Sequence, residues 1–183
     1  KFPQQISSVD SLFLTNANGT LFFAANDGLH GAELWKSDGT ESGTVMVKDI
    51  RKDGYEPVPY QMTNVNGTVF FTGFDETSGT ELWMSNGTKA GTVRVKDIRP
   101  GSDGSSPRYL TNVNGTLFFV ADDGVESDEL WVSDGTEVGT KRFREIQPTF
   151  EAMWPRYLTE VNGTLFFSAF DYMHGMELWS VRD

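Results

Sequence analysis

Short apolar runs separated by turn residues make up most of the chain, and residues 108–146 show the pattern most clearly. The run 109–113 is rich in β-forming residues, and Asn114-Gly115 separates it from a second apolar run at 116–121. Asn-Gly between two such runs predicts a β-hairpin, because a type I′ turn needs positive φ at both central residues. A loop leads to a third run at 129–132, which ends in the turn sequence Ser-Asp-Gly-Thr.

A fourth run completes the pattern. It reads Thr-Val-Met-Val-Lys-Asp-Ile at 44–50 and Thr-Val-Arg-Val-Lys-Asp-Ile at 92–98. We name the four predicted antiparallel strands a, b, c and d. No stretch of the sequence shows helical periodicity over more than one turn.

The whole pattern recurs every 48 residues. Glu-Leu-Trp begins at Glu33, Glu81, Glu129 and Glu177, and Asn-Gly-Thr begins at Asn18, Asn66, Asn114 and Asn162. A fixed period with four short strands per unit is typical of β-propeller blades. We therefore predict one all-β domain of four 48-residue repeats, most simply a four-bladed β-propeller. The repeats lie at about 12–50, 60–98, 108–146 and 156–183.

Two adjacent phenylalanines mark strand b of every unit. They are Phe22-Phe23, Phe70-Phe71, Phe118-Phe119 and Phe166-Phe167. Neighbouring residues in a strand point to opposite faces of the sheet. Each sheet is therefore expected to offer one Phe to the sheet before it and one to the sheet after it.

The fourth unit has no strand d within the sequence, which reaches Asp183 in the turn after strand c. Residues 4–9, within a ring-closing segment at 1–11, would supply that strand and close the ring. A solenoid stack and a piece of a longer array are the alternatives, because strands b and c look alike in all three.

The composition of the chain argues against several classes of protein. The formal net charge is −11, which argues against nucleic acid and anionic membrane surfaces as partners. There is no cysteine, and no apolar run of about 18 residues that would span a membrane. Aromatic residues make up 13% of the chain, too many for a disordered acidic protein.

Repeated carboxylates are the first candidate metal site, and a pair of histidines is the second. An aspartate follows strand b in each unit, at Asp27, Asp75, Asp123 and Asp171. These four would bind Ca²⁺, the only cofactor that the sequence suggests, or would serve as Asx-turn residues. The Glu that opens each strand c is expected to pair with Lys48, Lys96 or Arg144 on strand d. His30 and His174 share one position in the first and fourth units and would lie on one side of a closed ring.

The loop before the fourth unit departs from the repeat. Phe150, Met153 and Trp154 stand where the second unit has small polar residues, and Tyr55 lies in the corresponding first loop. Large apolar loop residues suit a partner or sugar contact. The alternative is that they cover the ring where the fourth unit is short.

The motif Glu-Leu-Trp-x-x-Asp-Gly-Thr, carried at 33–40, 81–88 and 129–136, resembles the ELWxxDGT repeat family. The second copy has Asn86 in place of Asp, and the fourth copy stops after Glu-Leu-Trp. The resemblance covers roughly residues 12–183 and implies an extracellular, repeat-built and non-enzymatic bacterial protein.

No nucleophile motif, Ser-His-Asp set or phosphate-binding loop appears, so we predict that the chain is not an enzyme. The predicted function is a secreted or cell-surface binding or scaffold module that contacts other proteins or glycans, or a second copy of itself. A carbohydrate-binding, lectin-like propeller is the alternative. A glycoside hydrolase is the most distant one and would need two carboxyls facing each other in a pocket.

Overall fold

The structure, a computed structural model, describes residues 6–50, 59–125, 128–143 and 153–182. These residues form four antiparallel sheets and contain no helix. The prediction of an all-β repeat fold is therefore confirmed. Among the same residues no helix is long and apolar enough to cross a membrane.

Strands follow chain order within each sheet. The first sheet holds β1 (Ser8–Ala17), β2 (Thr20–Asn26), β3 (Ala32–Ser37) and β4 (Val45–Lys48). The second holds β5 (Tyr60–Val65), β6 (Thr68–Asp75), β7 (Gly79–Ser85) and β8 (Thr92–Arg94). The third holds β9 (Arg108–Val113), β10 (Thr116–Ala121), β11 (Glu129–Ser133) and β12 (Lys141–Arg142). The fourth has three strands, β13 (Met153–Val161), β14 (Thr164–Asp171) and β15 (Gly175–Arg182).

The Asn-Gly turns form as the sequence predicts. In the second sheet Asn66 has a φ of 51° and Gly67 a φ of 86°, the positive values that a type I′ turn requires. Asn64 adds a clamp, because its side-chain oxygen accepts the Gly67 N–H at 2.8 Å. The hairpin between strands a and b is thus fixed by local chemistry.

The Ser-Asp-Gly-Thr turns close the hairpin between strands c and d. A buried pair of hydroxyls bridges each turn, with oxygen–oxygen distances of 2.7 to 2.8 Å in Ser37–Thr44, Ser85–Thr92 and Ser133–Thr140. Inside the first turn, Asp38 accepts hydrogen bonds from the N–H and the hydroxyl of Thr40. These turns therefore have a structural role.

Consecutive sheets pack face to face. We call the face that carries the Trp of Glu-Leu-Trp the Trp face, and the opposite one, which carries the Leu, the Leu face. Phe71 and Trp83 on the Trp face of the second sheet pack against Phe22 and Leu34 on the Leu face of the first. The same arrangement joins the second sheet to the third and the third to the fourth. Each buried Phe contributes roughly 1.5–3 kcal/mol, and the arrangement of the sheets is propeller-like.

The expected ring closure is corrected. Ser8 pairs with Asn26 and Val9 with Ala25, so this part of the segment extends β1 along β2 and does not complete the fourth sheet. The remaining residues, 4 and 5, lie outside the described ranges. No core cluster of described residues joins the fourth sheet to the first, and Leu178 on the Leu face of the fourth sheet is 75% exposed.

Replacing Trp83 with Ala tests the packing of the sheets. Trp83 is 7% exposed between the first two sheets, so Trp83→Ala should lower the free energy of unfolding by about 3–5 kcal/mol in urea denaturation. Trp179→Ala, at the partly buried position of the fourth sheet, is the matched control and should cost less. A loss below about 1 kcal/mol for Trp83→Ala would show that the tryptophans of the Glu-Leu-Trp motifs are not part of the buried core.

Candidate functional site: an uncharged axial cleft

Strand a of each sheet lies beside strand a of the next, and together they line a cleft of about 270 Å³. The first three sheets each contribute three consecutive residues, and the fourth contributes one. The lining residues are Phe13, Leu14, Thr15, Gln61, Met62, Thr63, Tyr109, Leu110, Thr111 and Leu158. None of them carries a charge.

Threonine hydroxyls hold the strands around the cleft together. Thr15 donates to the Met62 carbonyl at 3.1 Å, and Thr63 donates to the Leu110 carbonyl at 2.8 Å. The third member of this series donates from Thr111 to the fourth sheet at 3.3 Å. The walls of the cleft are therefore tied by contacts between sheets as well as within them.

One position in strand a has an unusual backbone conformation. Gln61, Tyr109 and Tyr157, spaced 48 residues apart, have φ values of 53°, 57° and 56°. Such values are uncommon for residues other than Gly, Asn and Asp. The pairing of strand a with strand b shifts register beside each of them, as in a β-bulge. Bulges redirect side chains, and strained residues of this kind cluster at ligand sites.

Side chains from this position meet across the sheets. The Tyr109 N–H donates to the side-chain oxygen of Gln61 at 2.5 Å, which leaves the Gln61 amide N–H groups as donors. The Tyr109 ring, which lines the cleft, lies 5.9 Å between centroids from the ring of Tyr157, which is 69% exposed and lies outside the lining set. The cleft thus combines aromatic rings with neutral hydrogen-bonding groups. The sequence analysis did not identify this site, although Gln61, Tyr109 and Tyr157 are spaced 48 residues apart.

The predicted partner residues lie elsewhere. Tyr55 and Phe150 fall outside the described residues. Met153 and Trp154 begin β13, so the expectation that they sit in a loop is corrected. Trp154 is exposed, and its ring lies 5.8 Å from that of Phe170. Trp154 does not line the cleft.

The four aspartates that follow strand b accept hydrogen bonds from backbone N–H groups of the loops between strands b and c. Asp27 accepts the N–H groups of Leu29 and His30 at 2.8 and 2.9 Å, and Asp171 accepts the N–H of His174 at 2.5 Å. Asp75 accepts the N–H groups of Thr77 and Ser78, and Asp123 accepts that of Val125. The described part of the chain contains no group of three or more His, Cys, Asp or Glu residues that would hold a metal ion. The geometry therefore gives the calcium prediction no support.

Each histidine is bonded to the aspartate of its own loop. The Nδ1 atom of His30 lies 2.6 Å from Asp27, and that of His174 lies 3.0 Å from Asp171. These hydrogen bonds raise the pKa of both imidazoles. Burial acts to raise the pKa of Asp27, but hydrogen bonds from His30 and Leu29 hold it below its ordinary value. Each histidine is therefore held within its own loop, by the aspartate three residues before it.

The glutamate column anchors the backbone after strand d. Glu81 is fully buried and accepts the N–H groups of Arg99 and Ser105 at 3.0 and 3.2 Å and the Ser105 hydroxyl at 2.5 Å. Glu33 accepts the Ile50 N–H at 3.0 Å. Burial raises the pKa of Glu81 above its ordinary value.

The predicted pairing of Lys48 and Lys96 with the glutamates that open strand c is wrong. Lys48 donates to the Thr92 carbonyl at 2.7 Å and Lys96 to the Thr140 carbonyl at 2.9 Å, in each case across to the next sheet. Arg144 lies outside the described residues. In the third sheet Glu129 is paired instead with Arg142 of β12.

No family model matches the chain, and no curated protein matches it in sequence. Solved structures similar to the chain include two glycoside hydrolases. One is a GH43 glycoside hydrolase engineered for endo-xylanase and exo-arabinofuranosidase activity, with 14% identity over 92% of this chain and 37% of that one and a TM-score of 0.42. The other is an alpha-L-arabinofuranosidase from Clostridium thermocellum, with 12% identity over 85% of this chain and 59% of that one and a TM-score of 0.37.

Both similar structures are glycoside hydrolases, the most distant of the expected functions, so the comparisons go against the expected scaffold module that contacts other proteins. At this identity and TM-score the similarity assigns no activity to this chain. That the chain is not an enzyme stays a prediction.

The free energy of unfolding should depend on pH through the titration of Glu81. Because its pKa is raised in the folded state, its contribution is fully present below the ordinary Glu pKa and is lost as pH rises through the folded pKa. Glu81→Gln retains the acceptor oxygen but does not ionise. The stability of Glu81→Gln relative to wild type should therefore increase from about pH 4 to 7, measured by urea denaturation.

Asp38→Asn is the control of opposite sign. The Thr40 hydrogen bonds lower the Asp38 pKa, so its contribution is present above the ordinary Asp pKa and is lost as pH falls through the folded one. A constant difference between wild type and Glu81→Gln at every pH would show that Glu81 does not titrate differently in the folded state.

Proposed function

We propose that the chain binds a neutral carbohydrate in the axial cleft. The observation that carries the proposal is the cleft's lining, which holds aromatic, hydroxyl and amide side chains and no charged group. Concave sites with a few placed polar groups on an apolar wall are the usual form of small-ligand pockets. A volume of about 270 Å³ suits one sugar residue or the end of a glycan.

The side chains match the two surfaces of a sugar. Tyr109 and Tyr157 offer rings that pack against the C–H face of a pyranose, and a tyrosine also presents a hydroxyl at its polar end. Gln61 supplies amide donors to sugar hydroxyls. The net charge of −11 disfavours anionic glycans, so the ligand class is neutral.

In this proposal the four sheets are four blades of a propeller, and the cleft lies where their first strands meet. Innermost strands that come from every blade make a site that no single repeat can build. The chain acts outside the cell, where the repeat resemblance places such proteins and where glycans are accessible.

Binding without hydrolysis is the form that the geometry favours. Glycoside hydrolysis needs a pair of carboxyl groups about 5–10 Å apart on either side of the scissile bond. No described residue that lines the cleft is Asp or Glu. Glu33 and Glu81 are buried as backbone anchors, away from the lining set.

A neutral-glycan array followed by calorimetry tests the site. Tyr109→Ala and Tyr157→Ala should each weaken binding of the selected glycan by at least about 10-fold, equivalent to about 1.4 kcal/mol. Tyr172→Ala is the matched control, because Tyr172 is an exposed tyrosine whose ring lies against Phe170 and which neither lines the cleft nor lies against Tyr109. Its affinity should equal that of wild type.

Three results would contradict the proposal. The array would show no neutral glycan bound, or the Tyr109 and Tyr157 variants would bind like wild type, or Tyr172→Ala alone would lose binding. The last result would move the site to the Trp154–Phe170–Tyr172 row. Release of reducing ends from a bound glycan would overturn the non-hydrolytic part.

A further inference from the structure

The side-chain amide of Gln61 is held in one orientation beside the cleft. Gln61 lines the cleft, and its side-chain oxygen accepts the Tyr109 N–H at 2.5 Å. Tyr109 lies in the register shift of β9, where pairing with β10 passes from Thr111 to Arg108, so this oxygen takes the place of a strand partner. Because a backbone N–H must face an oxygen, the contact also fixes which end of the amide carries the nitrogen.

The oxygen of Gln61 is thus already in use, and its nitrogen is not. The two amide N–H groups of Gln61 have no hydrogen-bond acceptor among the described residues. A ligand in the cleft would therefore meet Gln61 as a donor of two hydrogen bonds.

The threonine hydroxyls of the cleft have the opposite character. Thr15 and Thr63 each donate their one proton to a backbone carbonyl of the next sheet, at 3.1 and 2.8 Å. Thr111 shares its proton between the carbonyls of Tyr109 and Leu158, at 2.8 and 3.3 Å. A hydroxyl that donates its proton keeps a lone pair, so these three groups would meet a ligand as acceptors.

One apolar side chain from each sheet completes the lining, directly before the threonine of strand a. These side chains are Leu14, Met62, Leu110 and Leu158. A methyl group gains free energy by leaving water against such a wall, whereas a hydroxyl without a partner there loses it. The cleft therefore combines a fixed donor, several acceptors and an apolar row.

An acetamido group matches all three features. Its carbonyl oxygen accepts from the Gln61 amide, its N–H donates to a threonine oxygen, and its methyl group contacts the apolar row. Adjacent sugar hydroxyls fit less well, because each of them both donates and accepts, while the Gln61 oxygen is occupied by Tyr109. The Tyr109 ring remains for the pyranose itself.

We propose that the cleft selects sugars that carry an N-acetyl group, with Gln61 as the residue that recognises the acetamido carbonyl. This inference rests on the proposed carbohydrate function and adds the class of sugar to it. Gln61 then determines specificity, while Tyr109 contributes to the binding of any sugar that enters the cleft.

Calorimetry with matched sugars tests the selectivity, with N-acetylglucosamine against glucose and N-acetylgalactosamine against galactose. At least one N-acetyl sugar should bind at least about 10-fold more tightly than its hydroxyl counterpart. Gln61→Glu keeps an oxygen for the Tyr109 N–H but has no amide protons, so it should abolish this preference. Asn86→Asp is the matched control, because it makes the same amide-to-carboxylate change at an exposed turn position outside the cleft lining, where the first and third units carry Asp38 and Asp134. It should keep the wild-type preference.

The outcomes separate this inference from the proposed function. Equal affinity for an N-acetyl sugar and its counterpart, with both weakened by Tyr109→Ala, would overturn the selectivity and leave the carbohydrate function in place. A preference that Gln61→Glu retains, with a wild-type circular dichroism spectrum, would overturn the role of Gln61. Saturable binding of an acetyl-lysine peptide without binding of any sugar would overturn the sugar as the ligand. Binding of none of the four sugars or of any glycan on the array would overturn the proposed function itself.

Discussion

Packing of the Leu face of one sheet against the Trp face of the next is the interaction on which the structure depends. A single antiparallel sheet of this size cannot bury two apolar faces, so each repeat needs a neighbour on either side. The contact is apolar in character, because the indole N–H groups of Trp83, Trp131 and Trp179 are buried without a hydrogen-bond partner among the described residues. Leaving a buried donor unpaired is unfavourable, so apolar burial must outweigh that cost at every interface.

Apolar packing alone does not fix how one sheet is aligned along the next. Polar contacts between the sheets fix this alignment. Asn64 donates to the Asn16 carbonyl and Asn112 to the Asn64 carbonyl, both at 2.9 Å, so one inner strand is fixed against the next. Lysines such as Lys48 do the same nearer the outer edge. Each set recurs from one pair of sheets to the next, with a separation of 48 residues for the asparagines and 44 for the lysines, so any site on the inner strands is held at a constant spacing. The cleft is a consequence of that constancy.

Sequence patterns predicted the strands, the turns and the alternating Phe pairs, because each depends on residue types with strong local preferences. The backbone at Gln61, Tyr109 and Tyr157 was not predictable in this way, since positive φ is expected of Gly and Asn rather than of Gln and Tyr. Pro155 made the segment around Trp154 resemble a loop. Here Pro155 lies in an edge strand where pairing skips from Met153 to Arg156, a place that a sheet tolerates for proline.

The Leu face of the fourth sheet has no sheet packed against it among the described residues. Ser168 and Ser180 stand where the third sheet has Val120 and Val132, while the central Leu178 is kept. Two hydroxyls lower the free energy of leaving this face in water, and the retained leucine preserves its complementarity to an apolar side chain. The second sheet has Thr72 at the position of Ser168, and this threonine is fully buried with its hydroxyl donating to the Pro107 carbonyl at 2.8 Å. A hydroxyl beside the retained leucine therefore fits a covered face as well as an exposed one.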